Sequence, residues 1–314
     1  MARYLVTGGA GFIGSNLVRY ILGKGHDVVV LDNFATGKRE NLTGAAGRFE
    51  LIEGDIRDRR TVDGALAGCE AIFHQAALGS VPRSIDDPAT SHDVNANGTV
   101  TLLEAARAAG IERVVFAASS SAYGNQEASP KRETMAPMPI SPYAASKVAR
   151  EGYMQAYAAA YGMETISLRY FNVFGPYQDP SGAYAAAIPV FVSRLLRRQR
   201  PTVFGDGEQS RDFCYIDNVC EANWLAVGAP AEVCDGRPIN IACGRRTSLN
   251  QILEQLRKLM GVDIEADYQA ARPGDVKHSL ADVSLARERI GYEPKVHFEE
   301  GLARAIGWYR EHLG

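Results

Sequence analysis

Six short apolar, β-branched runs, several of them separated by helical patterns, constrain this chain more than any other feature. They fall at residues 4–6, 28–31, 49–52, 71–73, 114–116 and 165–168, with helical spacing at 15–22, 60–66, 97–108 and 143–161. Strands that are apolar continuously, rather than at every second residue, are covered on both faces, which points to parallel pairing through helical crossovers. The expected fold class is therefore α/β, a doubly wound parallel sheet. After residue 171 the rhythm breaks at Gly175-Pro176, at the loop-rich stretch 179–182 and at Gly205-Asp206-Gly207, and helical patterns return at 186–197, 249–260, 283–290 and 299–312. Such turn clusters suggest a first domain over 1–170 and a smaller C-terminal α/β lobe over 171–314, with part of 213–242 returning to the first domain.

The composition narrows the partners. A net charge of −3 gives no electrostatic reason to expect nucleic acid or a membrane surface. Four arginines at 194, 197, 198 and 200 read as a solvated helix end. The 5 cysteines lack paired CxxC spacing, so neither a disulfide framework nor a metal site is expected. No run reaches the roughly 18 apolar residues of a membrane span, and the N-terminus enters a strand without leader features. A cytoplasmic location is expected.

Gly8, Gly11 and Gly14 follow the first strand and open a helix. Glycines so placed permit a tight turn, close approach of backbone to a pyrophosphate and tight helix-on-sheet packing, while the helix N-terminus offers free N–H groups. Phe12 and Ile13 lie inside the same loop. Asp32 ends the second strand, where a carboxylate accepts hydrogen bonds from both ribose hydroxyls and repels a 2′-phosphate, so NAD is expected rather than NADP. Asn33 follows it. Asp55 and Ile56, after the third strand, occupy the place of adenine contacts, although Asp55 alone would read equally well as a helix cap. This is the Rossmann arrangement.

Tyr143 and Lys147, four apart, share one helix face. A cation beside a phenol favours its ionised form and lets it act as a base. With Ser119 as a hydroxyl between loop and helix, the three suggest hydride chemistry at an alcohol carbon. Ser120 and Ser121 remain alternatives for that hydroxyl, or serve only to satisfy backbone groups at a strand end.

These residues, with His74-Gln75-Ala76-Ala77, Asn95-Ala96-Asn97-Gly98-Thr99, Ser119 through Gly124, Leu168-Arg169-Tyr170-Phe171-Asn172 and Arg211 through Asp217, resemble the extended short-chain dehydrogenase/reductase family. Within it they look most like UDP-hexose 4-epimerases, closest to those acting on UDP-N-acetylglucosamine, and the resemblance covers nearly the whole chain. It implies that Tyr143 is the base for the sugar hydroxyl, that Lys147 lowers its pKa and binds the nicotinamide ribose, and that Ser119 relays or holds the proton. It places Gln75, Ala76, Ala77 and Tyr170 with the cofactor residues already named. Asn172, Arg211 and Arg272 would hold the UDP diphosphate, for which a planar guanidinium is well shaped. Ala187, Ile188, Val203 and Phe204 fall where the family wraps the uracil.

Asp275 and Ser279 lie in a stretch that resembles the segment setting pocket volume in that family. A small residue at 279 leaves room for a 2-acetamido group, so interconversion of UDP-GlcNAc and UDP-GalNAc is the expected activity, with UDP-Glc/UDP-Gal as a further substrate pair. Related 4,6-dehydratases carry an Asp-Glu pair where this chain has Ser120, Ser121 and Ala122, which disfavours dehydration. The rivals are a 4-epimerase of UDP-hexuronic acids, a net oxidoreductase, and a non-catalytic protein on an inherited fold. The family commonly forms homodimers through the helix bearing Tyr143, and the same is expected here.

Overall fold

The computed structural model describes residues 1–180, 186–271 and 277–313. Seven strands form one sheet: β1 (Arg3–Thr7), β2 (Asp27–Asp32), β3 (Phe49–Glu53), β4 (Ala71–His74), β5 (Arg113–Ser119), β6 (Glu164–Tyr170) and β7 (Asp235–Ile241). Their order is β7-β6-β5-β4-β1-β2-β3, and every pair is parallel. The first six contain the six apolar runs.

The main helices are α1 (Phe12–Gly23), α2 (Gly98–Ala108), α3 (Pro142–Tyr161), α4 (Ala187–Leu196), α5 (Ile216–Val227), α6 (Leu249–Met260) and α7 (Phe298–Leu313). Strand parity assigns them to faces. Val6, Val28, Val30, Phe73 and Val115 point to one side, against Leu17, Val18 and Ile21 of α1 and Val219 and Ala222 of α5. Their neighbours Leu5, Val29, Ile72 and Val114 point to the other, against Leu102 and Leu103 of α2 and Met154 and Tyr157 of α3. Both faces are sealed, so nearly every strand position must be apolar. Each such side chain contributes about 1.5–3 kcal/mol when fully buried.

Helix α3 is defined at both ends. Ser141 Oγ accepts the Ala144 N–H at 3.1 Å, Pro142 begins the helix, and Gly162 ends it in the left-handed region at φ 70°. This frame sets the side chains of Tyr143, Lys147 and Arg150 along one seam.

Helix α5 and strand β7 do not announce themselves in the sequence, for a physical reason. The helix carries the buried amides Asn218 and Asn223, which break an apolar stripe yet find partners: Asn218 donates to Val296 O at 2.7 Å and accepts from the N–H groups of Lys295 and Val296 at 2.9 and 3.0 Å. Strand β7 contains Gly236 and Pro238, which read as breakers. Gly236 has φ 76°, and a Cβ there would stand 2.4 Å from Gln155 N, so close approach to α3 requires glycine.

The remaining elements form a second, smaller group. Short pairs join Val173–Phe174 to Cys214–Tyr215, Thr202–Phe204 to Asp267–Gln269, and Ser210–Arg211 to Thr247–Ser248. They sit with α4, α6 and α7. Among the described residues no helix is long and apolar enough to cross a membrane.

Candidate active site

The chain order reverses between β1 and β4, and a cleft of about 590 Å³ opens at their C-terminal ends, the place where open α/β sheets take ligands. Every residue assigned above to the dinucleotide lines it, from Gly8 through Tyr170. Glycine is sterically required at two points. A Cβ on Gly8 (φ +68°) would stand 2.7 Å from the Ala76 backbone, and one on Gly14 only 2.1 Å from Gly8 O. The loop therefore lies flush against both the sheet and its own helix, leaving the first N–H groups of α1 to the cleft, and these residues fit a pyrophosphate.

Asp32 is fixed by backbone: one carboxylate oxygen accepts Ala10 N–H at 2.9 Å, the other Phe34 N–H at 2.8 Å. Burial pushes its pKa up and those two donors oppose it. Asp55 sits differently. Arg57 grips both of its oxygens, at 3.0 and 2.8 Å, and Asn33 donates to one at 2.9 Å. Arg57 thereby holds the Asp55 carboxyl down at about 2. Arg57 itself lines the cleft and was missed in the sequence, where it reads as an ordinary surface charge.

Tyr143, Lys147 and Ser119 meet in the same cleft. Of the three serines, Ser119 lines it, its Oγ accepting Ser121 N–H at 3.2 Å, while the Ser121 hydroxyl is buried. Burial pushes the Tyr143 phenol up; a hydrogen bond with Ser119 and the positive charge of Arg150 pull it back. Lys147 Nζ donates to Ala117 O at 2.7 Å and lies 5.8 Å from the centre of the Tyr143 ring. Its own pKa is driven well down, by burial first and by Arg150 second. Arg150, buried about one turn further along α3, is a second basic side chain of this cluster, and nothing in the sequence singles it out.

The sugar end is less gathered. Asn172 lines the cleft, with an unusual φ of 22° and its amide donating to Asp212 O at 3.4 Å. Asp212 is wholly buried, accepts N–H groups from Cys243, Gly244 and Ala281 at 2.9, 3.0 and 3.2 Å, and is pushed up to about 6 by burial. It fixes the turn beside Arg211, whose guanidinium donates to Ser210 O and Lys277 O. Ser279 lies alongside, its N–H donating to Ser210 O at 3.0 Å. Ala187 and Phe204 are half-buried. Ile188 and Val203 bury their side chains in the core. Arg272 and Asp275 lie outside the described residues.

A parallel sheet with a glycine cradle, a buried carboxylate ending its second strand and a tyrosine–serine–lysine cluster at its switch point defines a dinucleotide-dependent enzyme of the Rossmann class. The family model for NAD dependent epimerases/dehydratases matches residues 4–242, and the chain belongs to that family. It is 41% identical over 313 residues to a UDP-glucose 4-epimerase of Mycolicibacterium smegmatis, covering 98% of each chain. Among solved structures, the UDP-glucose 4-epimerase of Thermotoga maritima with UDP-glucose superposes with a TM-score of 0.92 at 39% identity, over 99% of this chain and 100% of that one. The UDP-N-acetylglucosamine 4-epimerase of Methanobrevibacter ruminantium in complex with UDP-N-acetylmuramic acid gives 0.93 at 37%, over 99% and 98%.

Proposed function

We propose that the chain inverts carbon 4 of a UDP-hexose through a transient 4-keto sugar, with UDP-GlcNAc and UDP-GalNAc its preferred pair and UDP-Glc and UDP-Gal also accepted. The observation that carries this reading is the meeting of Tyr143 and Ser119 with the dinucleotide-lining residues in one cleft. Bound NAD supplies reversible removal of hydride from carbon 4. Tyr143 takes the 4-hydroxyl proton and later returns it, Ser119 holds that proton's oxygen, and Lys147 binds the nicotinamide ribose. Asn172, Arg211 and Arg272 anchor the UDP while the sugar turns to present its other face. The acetamido preference is supported by Ser279, a small side chain next to the Arg211 turn.

Proton NMR of purified protein incubated separately with UDP-GalNAc and UDP-Glc tests both levels. Conversion of UDP-GalNAc to UDP-GlcNAc, faster than that of UDP-Glc, is expected; a faster rate on UDP-Glc removes the acetamido preference, and inertness toward both removes the 4-epimerase reading for these sugars. Tyr143→Phe should lower turnover by about 10²–10⁴-fold with little change in KM, as loss of a general base does. A homodimer through α3 belongs to the same proposal, supported by Tyr153 and Tyr161, 40% and 54% exposed on that helix. Sedimentation at micromolar concentration checks it, and a monomer there overturns it.

A further inference from the structure

Arg150 is completely buried, and its bonds go to neutral groups. One Nη donates to Ala76 O at 2.9 Å and to His74 Nε2 at 2.7 Å, and the guanidinium lies 4.4 Å above the Phe116 ring. Its Nε and other Nη are buried without a hydrogen-bond partner. The imidazole it meets is neutral. A guanidinium only donates, so His74 Nε2 accepts, and Nδ1–H donates to Thr7 Oγ1 at 2.7 Å. The Thr99 hydroxyl near Nε2 is spent on Asn95 O, at 2.6 Å.

No carboxylate among the described residues pairs with Arg150. Its sequence neighbour Glu151 is committed to Arg169. An uncompensated buried cation is costly, so its retention beside a reactive cluster calls for a function. The ionisable acid nearest it along this face of α3 is Tyr143, seven positions earlier, and the two are bridged by Lys147, which stands 5.8 Å from the Tyr143 ring centre and shares the Phe116 ring with Arg150 at 5.3 and 4.4 Å. Ser119 of β5 hydrogen-bonds that phenol, and the short helix Val81–Asp86, which carries Arg83 and Asp86, packs on α3 with Ser84 Oγ accepting the Tyr143 backbone N–H. Of these, Ser119 and Arg150 act on the phenol in the direction of ionisation.

We propose that Arg150 is a positioning residue for proton transfer at Tyr143, tying the helix that carries the base to the cofactor-side loop at Ala76 and lending its uncompensated charge to the phenolate. This rests on Tyr143 being the base. Ala76 is also the residue against which Gly8 is packed, so one guanidinium connects the base to the wall of the dinucleotide cleft.

The test is the pH dependence of kcat/KM for 4-epimerisation in wild type, Arg150→Gln, Arg150→Met and Arg150→Lys. Both neutral variants should move the acid limb up by about one pH unit, a loss of roughly tenfold below the limb, whereas Arg150→Lys, which keeps the charge, should leave it within a few tenths. An unmoved limb in either neutral variant overturns the proposal, however much turnover falls, because a merely structural role lowers the whole profile evenly. A limb displaced by about a unit in Arg150→Lys overturns it as well, whether or not the neutral variants fold. Tyr143→Phe, measured alongside, separates the two levels. Near-normal turnover there removes Tyr143 as base and this inference with it; loss of turnover in Tyr143→Phe with an unmoved Arg150→Gln limb removes this inference alone.

Discussion

Glu151 of α3 and Arg169 of β6 face each other across a dry seam, joined by two parallel hydrogen bonds of 2.8 and 2.7 Å with neither side chain more than 3% exposed. Burial works against the Arg169 charge, and the paired carboxylate nonetheless keeps its guanidinium firmly protonated. The pair pins the helix carrying Tyr143 and Lys147 to the sheet beneath it.

Removing one partner strands the other. Glu151→Ala should cost about 3–5 kcal/mol of unfolding free energy, while joint replacement of both residues by apolar side chains of similar volume should cost far less. Urea unfolding of the two single variants and the double variant checks this, and additive losses would show that the two charges do not depend on each other.

Asp32 already satisfies two backbone donors, so an amide in its place keeps one acceptor and loses the charge. Asp32→Asn should weaken NAD binding roughly 10–100-fold, the worth of hydrogen bonds to an ionised group. Isothermal titration of cofactor-stripped protein reads the change directly, and NADP should gain relative to NAD.

The glycine loop tolerates no side chain at its tightest point. Gly14→Ala drives a methyl into Gly8 O, which should cost about 1–3 kcal/mol of stability and abolish dinucleotide retention. A variant that still copurifies with cofactor would mean that the loop yields without losing its shape.

Asp55 provides a pH signature. Its carboxyl lies at about 2 in the fold, below its ordinary 3.8, chiefly through Arg57. A depressed acid contributes stability that is complete above the ordinary value and is lost as pH falls through the folded one. Asp55→Asn should therefore flatten the stability curve between about pH 4 and pH 2, by about 1 kcal/mol or less because the pair is partly solvated. Urea midpoints across that range would show the effect.

What could be read in advance was local. A run such as Val28–Leu31 states its own burial, and the glycine loop and the Tyr143/Lys147 spacing are complete within a few residues. The features that escaped depend on distant partners. Asn218 and Asn223 look like helix breakers until residues 295–296 and Tyr170 are brought to them, and Gly236 looks like a turn until α3 lies against it. Arg150 reads as a solvent-facing charge until the fold sets His74 and Ala76 beside it. At the sugar end, Arg211 and Ser279 become neighbours through Ser210 and Lys277, from chain segments well apart.

Asn223 also hydrogen-bonds Gln75 and Tyr170, two residues lining the cleft, and its helix leads directly to the edge strand Asp235–Ile241. During synthesis the packing behind the dinucleotide site is therefore completed only by residues that emerge after the first stretch of the sugar side, 171–212, so the cleft's wall is finished by chain that has left the first domain and come back.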